Sequence, residues 1–190
     1  MKTTLGKIWN FNPCGKDIDS NGWGRLTKNL GTSNHNYEVS LDQILKSNGI
    51  KDATWALRCF NYKDYCLFLA DVAESVLHIY EDKNTTSSPR NAIRAIRDYH
   101  AGSITKTELF TAAADAADAA YAAAAAADAA DAADAAYAAY AAAADAADAA
   151  ADAAYAAYAA AADADAYAKK WQEIEELFIK HFCKETELNE

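Results

Sequence analysis

Carboxylates and phenol rings recur on a near-fixed spacing along residues 134–163, which read DAAYAAYAAAADAADAAADAAYAAYAAAAD. On a helix that advances about 100° per residue, counted from Asp115, the side chains of Asp134, Asp145, Asp148, Asp152 and Asp163 fall between roughly 60° and 120°. On the same count Tyr137 and Tyr155 fall near ~40°, Tyr140 and Tyr158 near ~340°, and the opposite half is pure Ala. The unit D-A-A-Y starts at Asp118, Asp134 and Asp152, spacings of 16 and 18 residues. Eighteen residues make about five helical turns, so the last two units stack in register, as after an internal duplication. Evenly spaced carboxylates can meet a basic protein patch or imitate a phosphate backbone. Tyr is a rigid anchor that gives contact area at low entropic cost. Asp134, Tyr137, Tyr140, Asp145, Asp148, Asp152, Tyr155 and Tyr158 are therefore the candidate partner-binding residues. The plainer reading is a close-packed helical layer whose Asp residues simply face water. Asp clusters without His on an exposed helix hold cations weakly and unselectively, so no metal site is assigned.

A second row is basic. Arg90, Arg94 and Arg97 follow at i, i+4 and i+7 and share one helix face, with Ala92, Ile93 and Ile96 on the apolar side. Guanidinium groups hold phosphate or carboxylate in a bidentate fork. This makes the row a candidate site for an anionic small ligand, nucleotide-like in charge. The plainer reading pairs it with acids of the same chain, Glu81, Asp82 or the Asp face.

Catalytic arrangements are weak. His35, His78, His100 and His181 lack metal-ligand spacing. No phosphate-cradling Gly loop and no nucleophile elbow occurs. Cys59 and His78 could meet in space, but nothing in the sequence requires it. Catalytic carboxylates need unlike surroundings to separate their pKa values, and the repeated Asp–Ala context does the opposite. No catalytic residue and no cofactor is assigned, and the chain is not expected to be an enzyme.

The elements that must carry these rows follow from caps and periodicity. Ser40 and Gln43 fit a capping box and Gly49 a stop, so a helix is expected over about Leu41–Asn48. Asp52 can cap a second short helix through Phe60. Residues 62–81 include CLFLADVAESVLHIY, apolar nearly all round, the pattern of a helix in the middle of a bundle. Ser88 caps and Pro89 opens a helix that runs to about Ala101 and ends at Gly102. Thr105 and Glu108 form another capping box, with Ile104 and Leu109 placed as a hydrophobic staple. The block 111–168 starts on that nucleus. It holds 41 Ala in 58 residues, and Ala is the best helix former, so the block is read as structured. As one helix, residues 106–168 would extend about 95 Å at about 1.5 Å per residue, against a radius of gyration of about 16 Å for a compact chain of this length. The Asp phase also breaks in the middle. A turn is therefore expected within 122–134, with Asp128, Asp131 or Asp134 capping the restart.

Charge is unevenly placed. The block 111–168 has ten Asp and neither Lys nor Arg, and the 18 basic residues outside it balance the 18 remaining acids. The net charge of −10 is thus the charge of the block. Such a surface repels nucleic acid and anionic lipid and attracts a basic protein. No long uncharged apolar run spans a membrane, and residues 1–12 show no signal-peptide pattern. Cys14, Cys59, Cys66 and Cys183, few and irregularly spaced, suit buried thiols in a reducing cytoplasm. The expected fold is all-α. It consists of an irregular, loop-rich segment 1–39 and a helical bundle 40–190 with close-packed Ala-rich helices, forming one compact unit.

Three stretches, LDQILKSNGIKDATWALR (41–58), YCLFLADVAESVLHIYE (65–81) and PRNAIRAIRDYHAGSIT (89–105), together with the Ala–Asp–Tyr tract and KKWQEIEELF, resemble a family of immunity proteins. That family is found beside bacterial toxin systems and is frequent in phage genomes. The resemblance covers roughly residues 40–182 and implies a helical domain that neutralises something by binding. It implies a cytoplasmic protein of a bacterial cell, phage-encoded in some settings, with an anti-defence role as the natural extension. The leading expectation is a stoichiometric inhibitor that engages a basic toxin or defence effector through the Asp–Tyr face. The alternatives are a sponge for an anionic small signalling molecule at the Arg row, and a structural module that forms homo-oligomers through its Ala faces.

Overall fold

A computed structural model describes residues 1–15, 21–124, 130–143, 156 and 164–183. It is mainly all-α, with a single two-stranded sheet among the described residues. By internal contacts the chain divides into two units. The first holds Met1–Phe60 and the described residues from Phe178 onward; the second is Asn61–Leu177. Residues 40–60, which the sequence groups with the bundle, fall in the same unit as residues 1–39.

In the first unit, strand β1 (Lys2–Thr4) pairs antiparallel with β2 (Glu38–Ser40), in the register Lys2↔Ser40, Thr3↔Val39 and Thr4↔Glu38. Between them lie α1 (Leu5–Asn10) and α2 (Gly22–Leu30). Segment 1–39 is thus not loop-rich as expected. Two helices form there. Leu5 and Ile8 of α1 and Trp23 and Leu26 of α2 are buried, three residues apart in each helix. Thr4 caps α1 by accepting the Lys7 N–H, and Gly31 ends α2 in the left-handed conformation. Trp9, Trp23 and His35 form a ring cluster, with Trp9 and Trp23 edge to face at 5.0 Å.

Helix α3 (Leu41–Asn48) has the expected capping box. The Gln43 N–H donates to Ser40 Oγ at 3.1 Å, and Gln43 Oε1 accepts the Ser40 N–H at 2.9 Å. Helix α4 (Ile50–Trp55) begins directly after Gly49, not after Asp52, and passes into a 3-10 turn over Ala56–Cys59. Asp52 lies inside α4, where it accepts a hydrogen bond from Asn48 Nδ2 and caps nothing.

The second unit is a bundle of α5 (Tyr62–Glu81), α6 (Ser88–Ala101), α7 (Lys106–Ala124) and α8 (Ala130–Ala143). Each packs on its neighbour in sequence, α8 closes back on α5, and α6 also reaches α8. Short connections make successive helices antiparallel neighbours. Helix α5 is the core element, with Phe68, Leu69, Val72 and Val76 fully buried. It is tied to α8 by a 2.5 Å hydrogen bond from Tyr62 Oη to the Ala142 carbonyl. Pro89 sits in the first turn of α6, with Ser87 rather than Ser88 at the cap position, and Gly102 ends the helix in the left-handed conformation. Thr105 and Glu108 cap α7 reciprocally: the Thr105 N–H donates to Glu108 Oε2 at 2.7 Å, and the Glu108 N–H to Thr105 Oγ1 at 3.3 Å. The Ala block is not one long rod. Helices α7 and α8 are separate and pack side by side. Residues 125–129, which join them, lie outside the described residues, as does the proposed cap Asp128. A last helix is α9 (Ala164–Phe182), in which Ile174, Phe178 and Phe182 are buried.

Candidate functional site

The Asp–Tyr face is built on helices whose inward sides are nearly pure Ala. A methyl group demands little space, so helix axes come close, and each buried methyl adds only about 0.8 kcal/mol. On α7, Ala113, Ala116, Ala120 and Ala123 are buried below Leu109, while Phe110, Ala114, Asp115, Asp118 and Ala122 are exposed. This is an apolar side against an acidic side at helical spacing. On α8 the Ala residues 136, 138, 139, 142 and 143 are buried, Tyr137 is 43% exposed, and Asp134 and Tyr140 are half-buried. The Tyr137 and Tyr140 rings lie 5.3 Å apart. Ala141, which falls between Asp134 and Tyr137 on the helical wheel, is buried as well. The second half of α8 therefore offers little open surface beyond the two Tyr rings. Asp145, Asp148, Asp152, Tyr155 and Tyr158 lie outside the described residues. The acidic surface of α7, with Phe110 beneath Lys106 Nζ at 5.2 Å from the ring centre, is the part that sequence reasoning passed over. The exposed spacing Phe110–Ala114–Asp118 was its available signal.

The Arg row lies between α5 and α6 and is largely neutralised from within. Arg90 forms a bidentate ion pair with Glu81, its Nε 2.6 Å from Glu81 Oε1. Arg97 reaches Asp71 at 3.0 Å and Glu74 at 2.5 Å. Burial lowers the Arg97 pKa, but the hydrogen bonds it donates to Glu74 and Asp71, together with their negative charges, outweigh it and leave the pKa raised. Arg94, exposed between them, makes no ion pair with any described residue. A cavity of about 300 Å³ opens here, lined by Glu74, Leu77, Arg90, Ile93, Arg94 and Arg97.

The Glu81 pair makes a pH prediction. The Arg90 hydrogen bond holds the Glu81 carboxyl below its ordinary 4.5. A carboxyl lowered by folding adds stability above its unfolded pKa, and that contribution is lost as pH falls through the folded value. Wild type should therefore exceed Glu81→Gln in thermal midpoint near neutral pH by a small amount, since the pair is exposed. The gap should close on acidification below about pH 4, as a melting series across pH would record.

All four thiols are free, but only Cys59 and Cys66 are buried; Cys14 is exposed and Cys183 half-buried. Burial raises the thiol pKa of Cys59 and of Cys183. Cys59 and His78 fall in different units. The thiol that meets a His is Cys66, whose Sγ lies 3.7 Å from His100 Nδ1, and the same nitrogen is 3.2 Å from the Lys63 carbonyl. Cys66 is fully buried, so no substrate reaches its sulfur, and the pair packs α5 against α6.

A second cavity, of about 480 Å³, lies in the first unit among α1 to α4. Trp23, Trp55, Asn48 and Asp52 are on its wall and Cys14 and Gly22 at its edge. Its residues come from four elements and share no sequence period, so no local pattern announces it.

No helix of the described residues is long and apolar enough to cross a membrane. Compared with protein-family models, with curated proteins and with solved structures, the chain matches none.

Proposed function

We propose that the protein acts by stoichiometric binding rather than turnover, as an immunity or anti-defence inhibitor of a basic toxin or defence effector. The observation that supports this reading most is the segregation of charge. The net −10 belongs to the Ala block, and α7 and α8, which carry the first part of that block, bury Ala and present Asp115, Asp118 and Tyr137 outward, with Phe110 exposed just before it. Acidic groups speed and orient the approach of a basic partner, and aromatic rings supply the contact area that holds it. The resemblance to immunity proteins points the same way.

The test is native mass spectrometry of the protein purified at low salt from bacterial cytoplasm. The expected result is a basic protein at fixed stoichiometry that dissociates as salt is raised. A complex indifferent to salt would contradict the electrostatic part of the reading.

Arg94 supports a second reading, a sponge for an anionic small molecule in the cavity between α5 and α6, because it alone of the row has no described ionic partner. An added mass of a few hundred daltons on the purified protein, lost in Arg94→Ala, would favour it. The assembly reading is less supported. The Ala faces it needs are already buried within the chain in α7 and α8.

A further inference from the structure

The cavity in the first unit is a built feature. Its volume of about 480 Å³ falls within the range of roughly 300–1,000 Å³ typical of small-molecule sites. Its edge is fixed by a close backbone approach between residues 14–15 and 21–22. The Trp23 N–H donates to the Cys14 carbonyl at 2.9 Å. Gly15 and Gly22 have φ of +72° and +31°, and a Cβ on Gly22 would sit 2.5 Å from the Cys14 carbonyl oxygen. Only Gly fits such an approach.

Among the described residues one ionic group, Asp52, lies in its wall. Asn48 Nδ2 donates to the Gly22 carbonyl at 2.7 Å and to Asp52 Oδ2 at 2.8 Å, while Asn48 Oδ1 accepts from Ser47 Oγ at 2.7 Å. Both amide protons are spent, so Asn48 is locked and in turn orients the Asp52 carboxylate. Asp52 makes no ion pair with any described residue, and a carboxylate has acceptor sites for about four hydrogen bonds. Two indoles also line the cavity. Trp23 is backed by Trp9 and His35. Trp55 is held by Arg58, whose Nε donates to the Trp55 carbonyl at 2.9 Å and whose guanidinium lies 4.2 Å from the ring centre. Ile8, Leu26, Ile44 and Ala56 add aliphatic surface, and Asn12, Pro13 and Cys14 line the side nearest Gly22. A largely apolar, indole-lined cavity whose oriented carboxylate has no ionic partner among the described residues suits a flat apolar body bearing a cation.

We propose that this cavity binds a small aromatic molecule carrying a protonated amine or amidine, with its rings against Trp23 and Trp55 and its cationic group on Asp52. The site is separate from the acidic helices and from the Arg row, and does not depend on either reading of them.

The experiment is a titration of the full chain with 2-naphthylmethylamine and with its neutral counterpart 2-naphthylmethanol. It is followed by the indole N–H signals in two-dimensional NMR, assigned through Trp23→Phe and Trp55→Phe. The amine should shift the Trp23 and Trp55 signals saturably and bind about tenfold or more tightly than the alcohol. In Asp52→Asn that preference should fall to about even, with the Trp9 signal at its native position without probe to show that the first unit keeps its fold. If Asp52→Asn does not fold, the comparison of amine and alcohol on wild type decides. Absence of saturable shifts, equal affinity of the two probes for wild type, or an unchanged preference in a folded Asp52→Asn would each overturn the proposal.

Discussion

Replacing Phe68 with Ala is expected to remove about 3–5 kcal/mol of folding stability, the usual cost of emptying a buried aromatic site. Phe68 is fully buried in α5, the helix on which α6 and α8 pack. The loss should be felt more here than in an ordinary core. Much of what surrounds α5 is Ala, and a methyl contributes only about 0.8 kcal/mol, so the few large side chains of α5 carry much of the second unit's burial. Domains are stable by only about 5–15 kcal/mol. The variant should therefore lose much of its cooperative thermal transition by circular dichroism. A full-sized transition at a nearly unchanged midpoint would show that the Ala helices hold together without α5.

The second large effect has the opposite chemistry. Ala139→Leu adds volume where α8 has none to spare, since Ala139 is fully buried. Overpacking of that kind costs about 1–3 kcal/mol, and more where two backbones meet closely. Tyr137→Ala, two residues away and 43% exposed, should stay within about 0.5 kcal/mol, although it removes far more atoms. Urea denaturation of the pair measures the contrast directly. Equal costs, or a costlier Tyr137→Ala, would mean that α8 does not pack through its Ala side.

The elements that were legible in the sequence were those with chemistry of their own at the ends. The Ser40–Gln43 box fixed the start of α3, Pro89 and Gly102 bracketed α6, and the Thr105–Glu108 box opened α7. The nearly all-round apolar character of α5 announced a bundle centre because a helix can be apolar on every side only when it is surrounded. Where local signals were weak the reading failed. Helix α1 has six residues, and α2 contains Gly22 and Gly24, so neither reaches the length at which propensity is informative. Both stand because Leu5, Ile8, Trp23 and Leu26 are buried. Asp52 looked like a cap, but Gly49 starts α4 and Asp52 pairs with Asn48 instead.

The candidate sites divide in the same way. The pairing of Arg90 with Glu81, nine residues away, was foreseeable across a single turn. The partners of Arg97 sit 26 and 23 residues earlier on α5, and only packing reveals which acids those are. The wheel predicted that α8 turns Tyr137 outward and Ala139 inward. It could not show that Ala141, on the Asp side, is covered too, because that depends on what packs against α8 and not on α8 itself.

We propose the acidic, aromatic-bearing side of the Ala block as the working surface. Its most direct test compares wild type with a variant carrying Asp145→Asn, Asp148→Asn and Asp152→Asn. Each is purified from the same cells, and the retained partner is quantified by native mass spectrometry at several salt concentrations. Wild type is expected to hold a basic protein more tightly at low salt, and the variant to hold it weakly with a flattened salt dependence. Equal retention by both proteins, with the same response to salt, would contradict it and leave the acidic side as solvated surface.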